Sequence, residues 1–180
     1  MGIKVAIQGI QGSFHHQVAH RYFGEAIGLD ECVTFRDVAN SLKNNQSDKA
    51  IMAIENSIAG AILPNYALID SYDLHIIGEH FLDIHMNLMV LPGQTIEDIK
   101  EVHSHPIALL QCANFFSQYP HIKLVESSDT AITAKRIQEN QLRGIGALAG
   151  PVASEIYNLE IIADGIHTVK SNKTRFVVLK

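Results

Sequence analysis

The sequence predicts an α/β fold, because short apolar runs that suit strands alternate with amphipathic segments that suit helices along almost the whole chain. Turns rich in glycine, serine or asparagine follow several of the apolar runs, as expected where strands end. Hydrophobic residues make up 47% of the 180 residues, which is enough to bury a sizeable core. The predicted strands are many for a chain of this length. They fit two small, mainly parallel sheets in two lobes better than one sheet.

In the first half of the chain, each predicted strand is an apolar run and each predicted helix follows a turn. The predicted strands are Lys4–Gln8, Cys32–Phe35, Ala50–Ile54, Leu74–Ile77 and Ile84–Leu91, the last of which ends at Pro92 and Gly93. The predicted helices are about Ser13–Phe23, near Asp37–Asn44 and about Gly60–Ser71.

The second half repeats this alternation, and prolines at the first turn support two of its helices. The predicted strands are Glu101–Ser104, Lys123–Glu126, Gly146–Ala149, Ile161–Ile162 and Phe176–Leu179. The predicted helices are Pro106–Gln118, Asp129–Glu139 and Pro151–Tyr157. Thr174 and Arg175 are placed just before the last strand, where the chain enters the sheet.

Composition and charge exclude several classes of protein. The net charge is −5 and the acidic residues are scattered, so the basic stripe of a nucleic-acid-binding protein is missing. No apolar run reaches the ~18 residues of a membrane helix, and the N-terminal residues run into a strand without a signal-peptide pattern. Cys32 and Cys112 are too few for a disulfide framework. We therefore expect a cytoplasmic protein with two reduced thiols.

Ligands of open α/β sheets bind beyond the carboxyl ends of strands, so the turns after the strands are the first places to search for a site. Gly9, Gly12 and Ser13 follow the first strand. They suit an anion-binding helix start or, equally, a tight turn with a capped helix. The spacing matches neither a dinucleotide-binding nor a Walker A loop, which argues against a nucleotide.

Two further turns carry polar side chains. Glu55, Asn56 and Ser57 follow the third strand, and the helix cap that explains Ser57 does not explain the other two. Ser104 is predicted to cap the helix that begins near Pro106. A Ser104–His105 nucleophile is disfavoured, since adjacent side chains rarely meet and no Gly-x-Ser-x-Gly elbow exists.

The ten histidines raise the question of a metal site. His16 and His20 are four residues apart, and His103 and His105 share a strand face. No cysteine pair or carboxylate-flanked histidine motif completes a set of ligands. We expect ordinary surface and core histidines and no metal.

Taken together, five segments resemble the catalytic domain of the prephenate dehydratase family. In chain order they are Gly9 with Gly12-Ser13-Phe14, Glu55-Asn56-Ser57 with Gly60, Ser104-His105 with Ala108 and Gln111-Cys112, Thr130-Ala131, and Thr174-Arg175-Phe176. Each segment is common alone, but five in the family's order span nearly the whole chain.

The resemblance implies a two-lobed, type II periplasmic-binding-like fold with the active site in the cleft. Lobe one would be about residues 1–77 plus 171–180, and lobe two about 78–170. Thr174 would be the catalytic hydroxyl. The residues implied to bind substrate are Ser13, Asn56, Ser57, Ser104, Gln111, Thr130 and Arg175. The implied reaction converts the dicarboxylate prephenate into phenylpyruvate without a cofactor, and a homodimer is one candidate assembly.

The sequence departs from the family pattern in ways that matter for these expectations. His15 stands where a small hydroxyl residue is usual, and Asp129 stands where serine is common. A carboxylate at Asp129 would repel a dianionic substrate if it faced the site. The usual C-terminal ACT domain is not expected in this chain. Two alternatives stay open: an arogenate dehydratase, and a non-catalytic module that binds a small anion.

Overall fold

A computed structural model describes residues 2–180, which form two compact units. Unit 1 comprises the residues up to Ile10, Phe14–Ile84 and Ser171–Lys180, and unit 2 comprises Gln11–Ser13 and His85–Lys170. Each unit contains one β-sheet with helices. The predicted α/β class with two sheets is therefore confirmed. Within residues 2–180, no helix is long and apolar enough to cross a membrane.

Unit 1 contains most of the first half of the chain. Its elements are β1 (Lys4–Gln8), α1 (Phe14–Phe23), β2 (Gly28–Cys32), α2 (Phe35–Lys43), β3 (Lys49–Asn56), β4 (Gly60–Ala61), α3 (Leu63–Ser71) and β5 (Ile76–Asp83).

Unit 2 follows along the chain. Its elements are β6 (Asn87–Val90), a 3₁₀ turn (Ile96–Asp98), β7 (Glu101–Ser104), α4 (Pro106–Gln111), α5 (Ala113–Phe116), β8 (Lys123–Glu126), α6 (Thr130–Glu139), β9 (Ile145–Ala149), α7 (Pro151–Ile156) and β10 (Glu160–Ala163). The chain then returns to unit 1 as β11 (Lys173–Leu179).

The sheet of unit 1 has the strand order β2-β1-β3-β11-β5, and β4 pairs with β3. Strand β1 is parallel to β2 and β3, whereas β11 is antiparallel to both β3 and β5. Alternate residues of these strands point to one face, where they pack with α2. This buried cluster consists of Ala6, Val38, Leu42, Ala50, Met52, Ile54, Val177 and Leu179.

The sheet of unit 2 has the order β10-β6-β9-β7-β8. Strand β7 is parallel to β8 and β9, and β6 is antiparallel to β9 and β10. All four residues of β6 are buried, as are the last four of β9. These central strands are therefore covered on both faces, which explains the apolar residues at 88–90 and 146–149.

The second strand differs from the prediction. It was expected at Cys32–Phe35 but runs from Gly28 to Cys32. Thr34 instead begins α2 with a capping box: its side chain accepts a hydrogen bond from the Asp37 backbone N–H, and the Asp37 carboxylate accepts one from the Thr34 N–H. This cap ends the extended segment that the apolar Val33 had suggested.

Three further boundaries also differ. The extended segment predicted to end at Ile77 continues as β5 to Asp83, so unit 1 extends to Ile84. The predicted helix at 106–118 is two short helices separated at Cys112. Thr174 and Arg175 lie inside β11 rather than before it, because both pair with residues of β3 and β5.

Candidate active site

Thr174 lies at the edge of the unit 1 sheet where the parallel strands end. In β11 it is opposite Asn56, the last residue of β3. Its side chain is largely buried, with the residue 8% exposed. This edge is where α/β sheets usually place a ligand, so the hydroxyl occupies a position suited to chemistry.

The side-chain amide of Asn56 links Thr174 to its surroundings. Its Oδ1 accepts hydrogen bonds from the backbone N–H groups of Ile58 at 2.9 Å and Ala59 at 3.0 Å. These groups can only donate, so the atom facing them must be the oxygen. The Nδ2 therefore faces the other way. It donates to Thr174 Oγ1 at 2.9 Å and to Asn172 Oδ1 at 2.8 Å.

This orientation makes the Thr174 oxygen an acceptor and leaves its hydroxyl proton available. In the bond with Asn56 the Thr174 oxygen accepts, so that bond does not use the hydroxyl proton. A hydroxyl held this way can donate to a ligand at the sheet edge.

Ser57 fastens β3 to the segment that leads into β11. Its hydroxyl donates to the Ser171 carbonyl at 3.1 Å and accepts from the Lys173 N–H at 2.9 Å, while its own N–H donates to the Lys173 carbonyl at 2.8 Å. These bonds fix the beginning of β11, where Thr174 lies.

Arg175 points to the face of the sheet opposite Thr174, because neighbouring strand residues alternate. Its Nε and one terminal nitrogen both contact Glu79 Oε2 at 2.8 Å, and Glu55 is 3.8 Å away. The guanidinium also lies 5.9 Å from the centre of the Phe81 ring. The hydrogen bond to Glu79 raises the pKa of Arg175. The structure thus brings Thr174, Asn56 and Ser57 together, but it places the Arg175 guanidinium on carboxylates of its own sheet.

Ser104 of unit 2 is fully buried, and its hydroxyl donates to the Leu148 carbonyl at 2.7 Å. This bond joins β7 to β9. The prediction that Ser104 caps the next helix is wrong: the N-cap of α4 is His105, whose Nδ1 accepts from the Ile107 N–H at 3.3 Å. Pro106 follows at the first helical position and fixes the helix to start there.

Asp129 caps α6 rather than standing free. Its Oδ1 accepts from the N–H groups of Ala131 at 2.7 Å and Ile132 at 3.2 Å. Burial raises the pKa of this carboxyl, and the two hydrogen bonds only partly oppose that shift. Thr130, the predicted substrate contact, is the first residue of the same helix.

Ser13 and Gln111 are the other predicted contacts in unit 2. Ser13 is buried directly before α1, and Gln111 ends α4, where its carbonyl accepts from the Thr168 N–H at 2.8 Å. The neighbouring Gly12 has a φ of +89°, and a Cβ there would lie 3.2 Å from the Ala153 backbone. Close packing on α7 therefore gives a physical reason for this glycine without a ligand.

The departure at His15 is accommodated inside unit 1. The ring is buried against Phe35 and Phe176, and its Nε2 accepts from the Ala53 N–H at 3.2 Å. Burial lowers the pKa of His15 to about 3, so the ring is neutral.

Within residues 2–180, no group of three or more histidine, cysteine, aspartate or glutamate side chains has the arrangement of a metal site.

Sequence reasoning did not assign two residues that the site contains. Asn172 is 1% exposed and holds the Asn56 amide. Its position two residues before Thr174 would have placed it on the same strand face. Glu79, which holds Arg175, was not assigned because its strand was not predicted beyond Ile77.

Comparison with known proteins gives a consistent family. The family model described as prephenate dehydratase matches residues 5–180. The bifunctional chorismate mutase/prephenate dehydratase of Buchnera aphidicola is 35% identical over 175 residues, which cover 95% of this chain and 45% of that protein. Arogenate dehydratase 1 of Petunia hybrida is 37% identical over 180 residues, covering 98% of this chain and 42% of that protein. The chain thus spans less than half the length of these relatives.

A solved structure shows the same fold. The prephenate dehydratase of Arthrobacter aurescens, in complex with L-Phe, superposes with a TM-score of 0.89 at 25% identity. The match covers 99% of this chain and 60% of that one.

Proposed function

The chain belongs to the prephenate dehydratase family, and on that premise we propose that it converts prephenate into phenylpyruvate, a step of phenylalanine biosynthesis. The observation that carries the proposal is the Thr174 hydroxyl, whose oxygen accepts from Asn56 while its proton stays available at the sheet edge. The reaction needs a hydrogen-bond donor at the oxygen that departs.

The proposed step breaks two bonds of prephenate. The bond to the ring carboxylate breaks and releases carbon dioxide, and its electron pair completes the aromatic ring. The ring carbon–oxygen bond opposite breaks at the same time, its electron pair leaves with the oxygen, and the departing hydroxide takes a proton supplied by solvent and leaves as water. Thr174 donates a hydrogen bond to that oxygen as negative charge develops on it. A positioned proton donor of this kind is typically worth ~10²–10⁴ in rate.

Binding of the two substrate carboxylates is the second requirement. Arg175 is the candidate cation in unit 1, and a carboxylate that replaced Glu79 would meet its fork of N–H groups. Ser13, Gln111 and Thr130 of unit 2 are proposed contacts on the strength of the family motifs. Ser104 contributes through the β7–β9 link, since its hydroxyl is bonded to Leu148. The step needs no cofactor, because formation of the aromatic ring drives it.

The proposal is tested by incubating the purified chain with prephenate and following phenylpyruvate absorbance. Thr174→Val, which keeps the shape of the side chain, should fold normally and lose about 100-fold in kcat, equivalent to about 2.7 kcal/mol of transition-state stabilisation. Thr174→Ser, which keeps a hydroxyl, is the matched control. Equal turnover in the valine variant and the wild type would remove Thr174 from the mechanism.

An arogenate dehydratase is the second candidate, because the chain is 37% identical to a relative of that name. Arogenate carries an amine where prephenate has a keto group, and the Thr174 chemistry applies to both. Parallel kinetics with the two substrates decide between them by the ratio of kcat/KM. A chain that binds both and turns over neither would instead be an anion-binding module.

A further inference from the structure

The hydrogen bond between Asn56 and Thr174 has a defined direction, from the Asn56 nitrogen to the Thr174 oxygen. A threonine hydroxyl rotates and donates to any acceptor within reach. With the Asn56 nitrogen facing it, the Thr174 oxygen receives a proton from the protein. With the amide turned over, the Asn56 oxygen would face Thr174 and take the hydroxyl proton.

The surroundings of Asn56 oppose that turn on both sides. The N–H groups of Ile58 and Ala59 would face a nitrogen and lose their acceptor. On the other side, the oxygens of Asn56 and Asn172 would face each other. Because Asn172 is almost completely buried, water cannot easily replace the lost bond.

We propose that Asn56 and Asn172 are positioning residues, which hold the Thr174 hydroxyl so that its proton is directed to the substrate and not to the protein. Asn56 makes the Thr174 oxygen an acceptor, and Asn172 keeps the Asn56 amide in the orientation that does so. This inference rests on the proposed role of Thr174 as the donor to the departing oxygen. It gives Asn56 a role other than direct substrate binding.

Asn56→Asp tests the direction of the bond with almost no change of shape. The carboxylate still accepts from Ile58 and Ala59, but its second oxygen accepts where Nδ2 donated, so it captures the Thr174 proton. We expect kcat at neutral pH to fall by about 10- to 100-fold, part of the ~10²–10⁴ that a positioned donor is worth, with KM nearly unchanged. As the pH falls and the carboxyl is protonated, it can donate again, and kcat relative to wild type should rise.

Asn65→Asp is the matched control. Asn65 is also buried in unit 1, and its Nδ2 donates to the Ala53 carbonyl at 2.8 Å, not to Thr174. This variant should show no acid-dependent recovery of kcat. Other groups near the network are present in both proteins and cancel in the ratio to wild type. They are His15, Glu55, Glu79, Asp83, Lys173 and Arg175.

The outcomes of the kinetic test are distinct. A fall in kcat that recovers toward low pH supports the positioning role. Loss of kcat at every pH, or a change confined to KM, would assign Asn56 to substrate binding and overturn the positioning role. Wild-type kinetics in Asn56→Asp would also overturn the positioning role. Asn172→Leu should also lower kcat. If this variant folds and keeps the wild-type kcat, Asn172 has no part in the mechanism.

A measurement without substrate separates this inference from the proposed function. In NMR spectra of the ¹⁵N-labelled chain, Thr174→Val should shift one side-chain amide proton of Asn56, Asn172→Leu should shift the other, and the Asn65 resonances should not move. Unmoved Asn56 resonances would overturn the inferred orientation. If wild type turns over neither prephenate nor arogenate, the proposed function fails while these spectra still decide how the amide is held.

Discussion

Among single residues of the candidate site, Arg175 is the one for which a substrate must compete with the protein, because carboxylates of its own sheet already bind it. Its guanidinium is half-exposed and bonded to Glu79. A substrate carboxylate would have to replace that contact. The Arg175 variants therefore distinguish a ligand-binding residue from a structural ion pair.

We predict that Arg175→Lys raises KM for prephenate, since an ammonium cannot reproduce the two parallel hydrogen bonds of a guanidinium. Glu79→Gln removes the competing charge and should leave KM unchanged or lower it. Initial rates over a range of prephenate concentrations provide the measurement. If both variants keep wild-type KM, Arg175 serves only to link β11 to β5.

The sequence predicted individual site residues where a motif marked them and failed where a contact is made across strands. Thr174 and Asn56 were predicted separately, and the structure shows that they are cross-strand partners. Asn172 was not assigned, because nothing in one sequence shows which amide a buried asparagine will contact. Their functional roles remain predictions.

Among the secondary-structure elements, the predicted bounds were correct for three short strands and wrong for the edge strand β5. Strands β1, β7 and β8 have the predicted bounds, and the first two are largely buried. In the edge strand β5, exposure alternates from Gly78 onward, but the less exposed positions include Gly78 and His80, so the sequence shows no apolar period of two. Thr34 and His105 show that the capping residue, rather than the apolar run, decides where a helix starts.

The cap of α6 leads to a prediction about stability and pH. Burial raises the pKa of Asp129 above its ordinary 3.8 in the folded protein. The folded state therefore holds this proton more tightly than the unfolded state, and that contribution to stability is lost as the pH rises through the folded pKa. Asp129→Asn keeps an acceptor oxygen for the cap and avoids the buried charge. Its free energy of unfolding should exceed that of wild type at neutral pH, and the difference should shrink toward pH 3.8.

Asp98→Asn is the control, for which we expect the opposite change in the free energy of unfolding. Hydrogen bonds from the Thr95 backbone and hydroxyl lower the pKa of Asp98. Its asparagine variant should therefore be less stable than wild type at neutral pH. Denaturant unfolding at several pH values measures both. If Asp129→Asn is less stable than wild type at neutral pH, the carboxylate is favourable in the folded state and our account of its burial is wrong.

At the scale of the whole molecule, the number of strands predicted two sheets, and the structure has two. The mixture of parallel and antiparallel pairs in each sheet was less accessible to prediction. In unit 1 the mixture depends on β11 returning to pair between β3 and β5, and in unit 2 it depends on β6 pairing with β9 and β10. These contacts join residues far apart in the chain. Periodicity indicates strands but does not identify their neighbours.

Buried histidines make the stability of the whole molecule depend on pH. Four histidines have a lowered pKa in the folded state, chiefly because of burial: His15, His16, His80 and His167. A histidine whose folded pKa is depressed binds its proton more readily when the chain unfolds. The stability linked to it is therefore fully present above pH 6.5 and is lost as the pH falls below that value.

For His15, whose pKa is about 3, the loss should approach about 1.4 kcal/mol per pH unit below 6.5. Asp129 acts in the opposite sense, so the net slope should be smaller than the sum over the histidines. His15→Gln keeps an acceptor that can face the Ala53 N–H and removes one of these protons. The free energy of unfolding of this variant should depend less steeply on pH than that of wild type, even if its value at neutral pH is lower. Denaturant unfolding between pH 6.5 and about 5, above the ordinary pKa values of the carboxyls, gives the two slopes. Equal slopes would mean that His15 is protonated in the folded protein, which its contact with the Ala53 N–H does not allow.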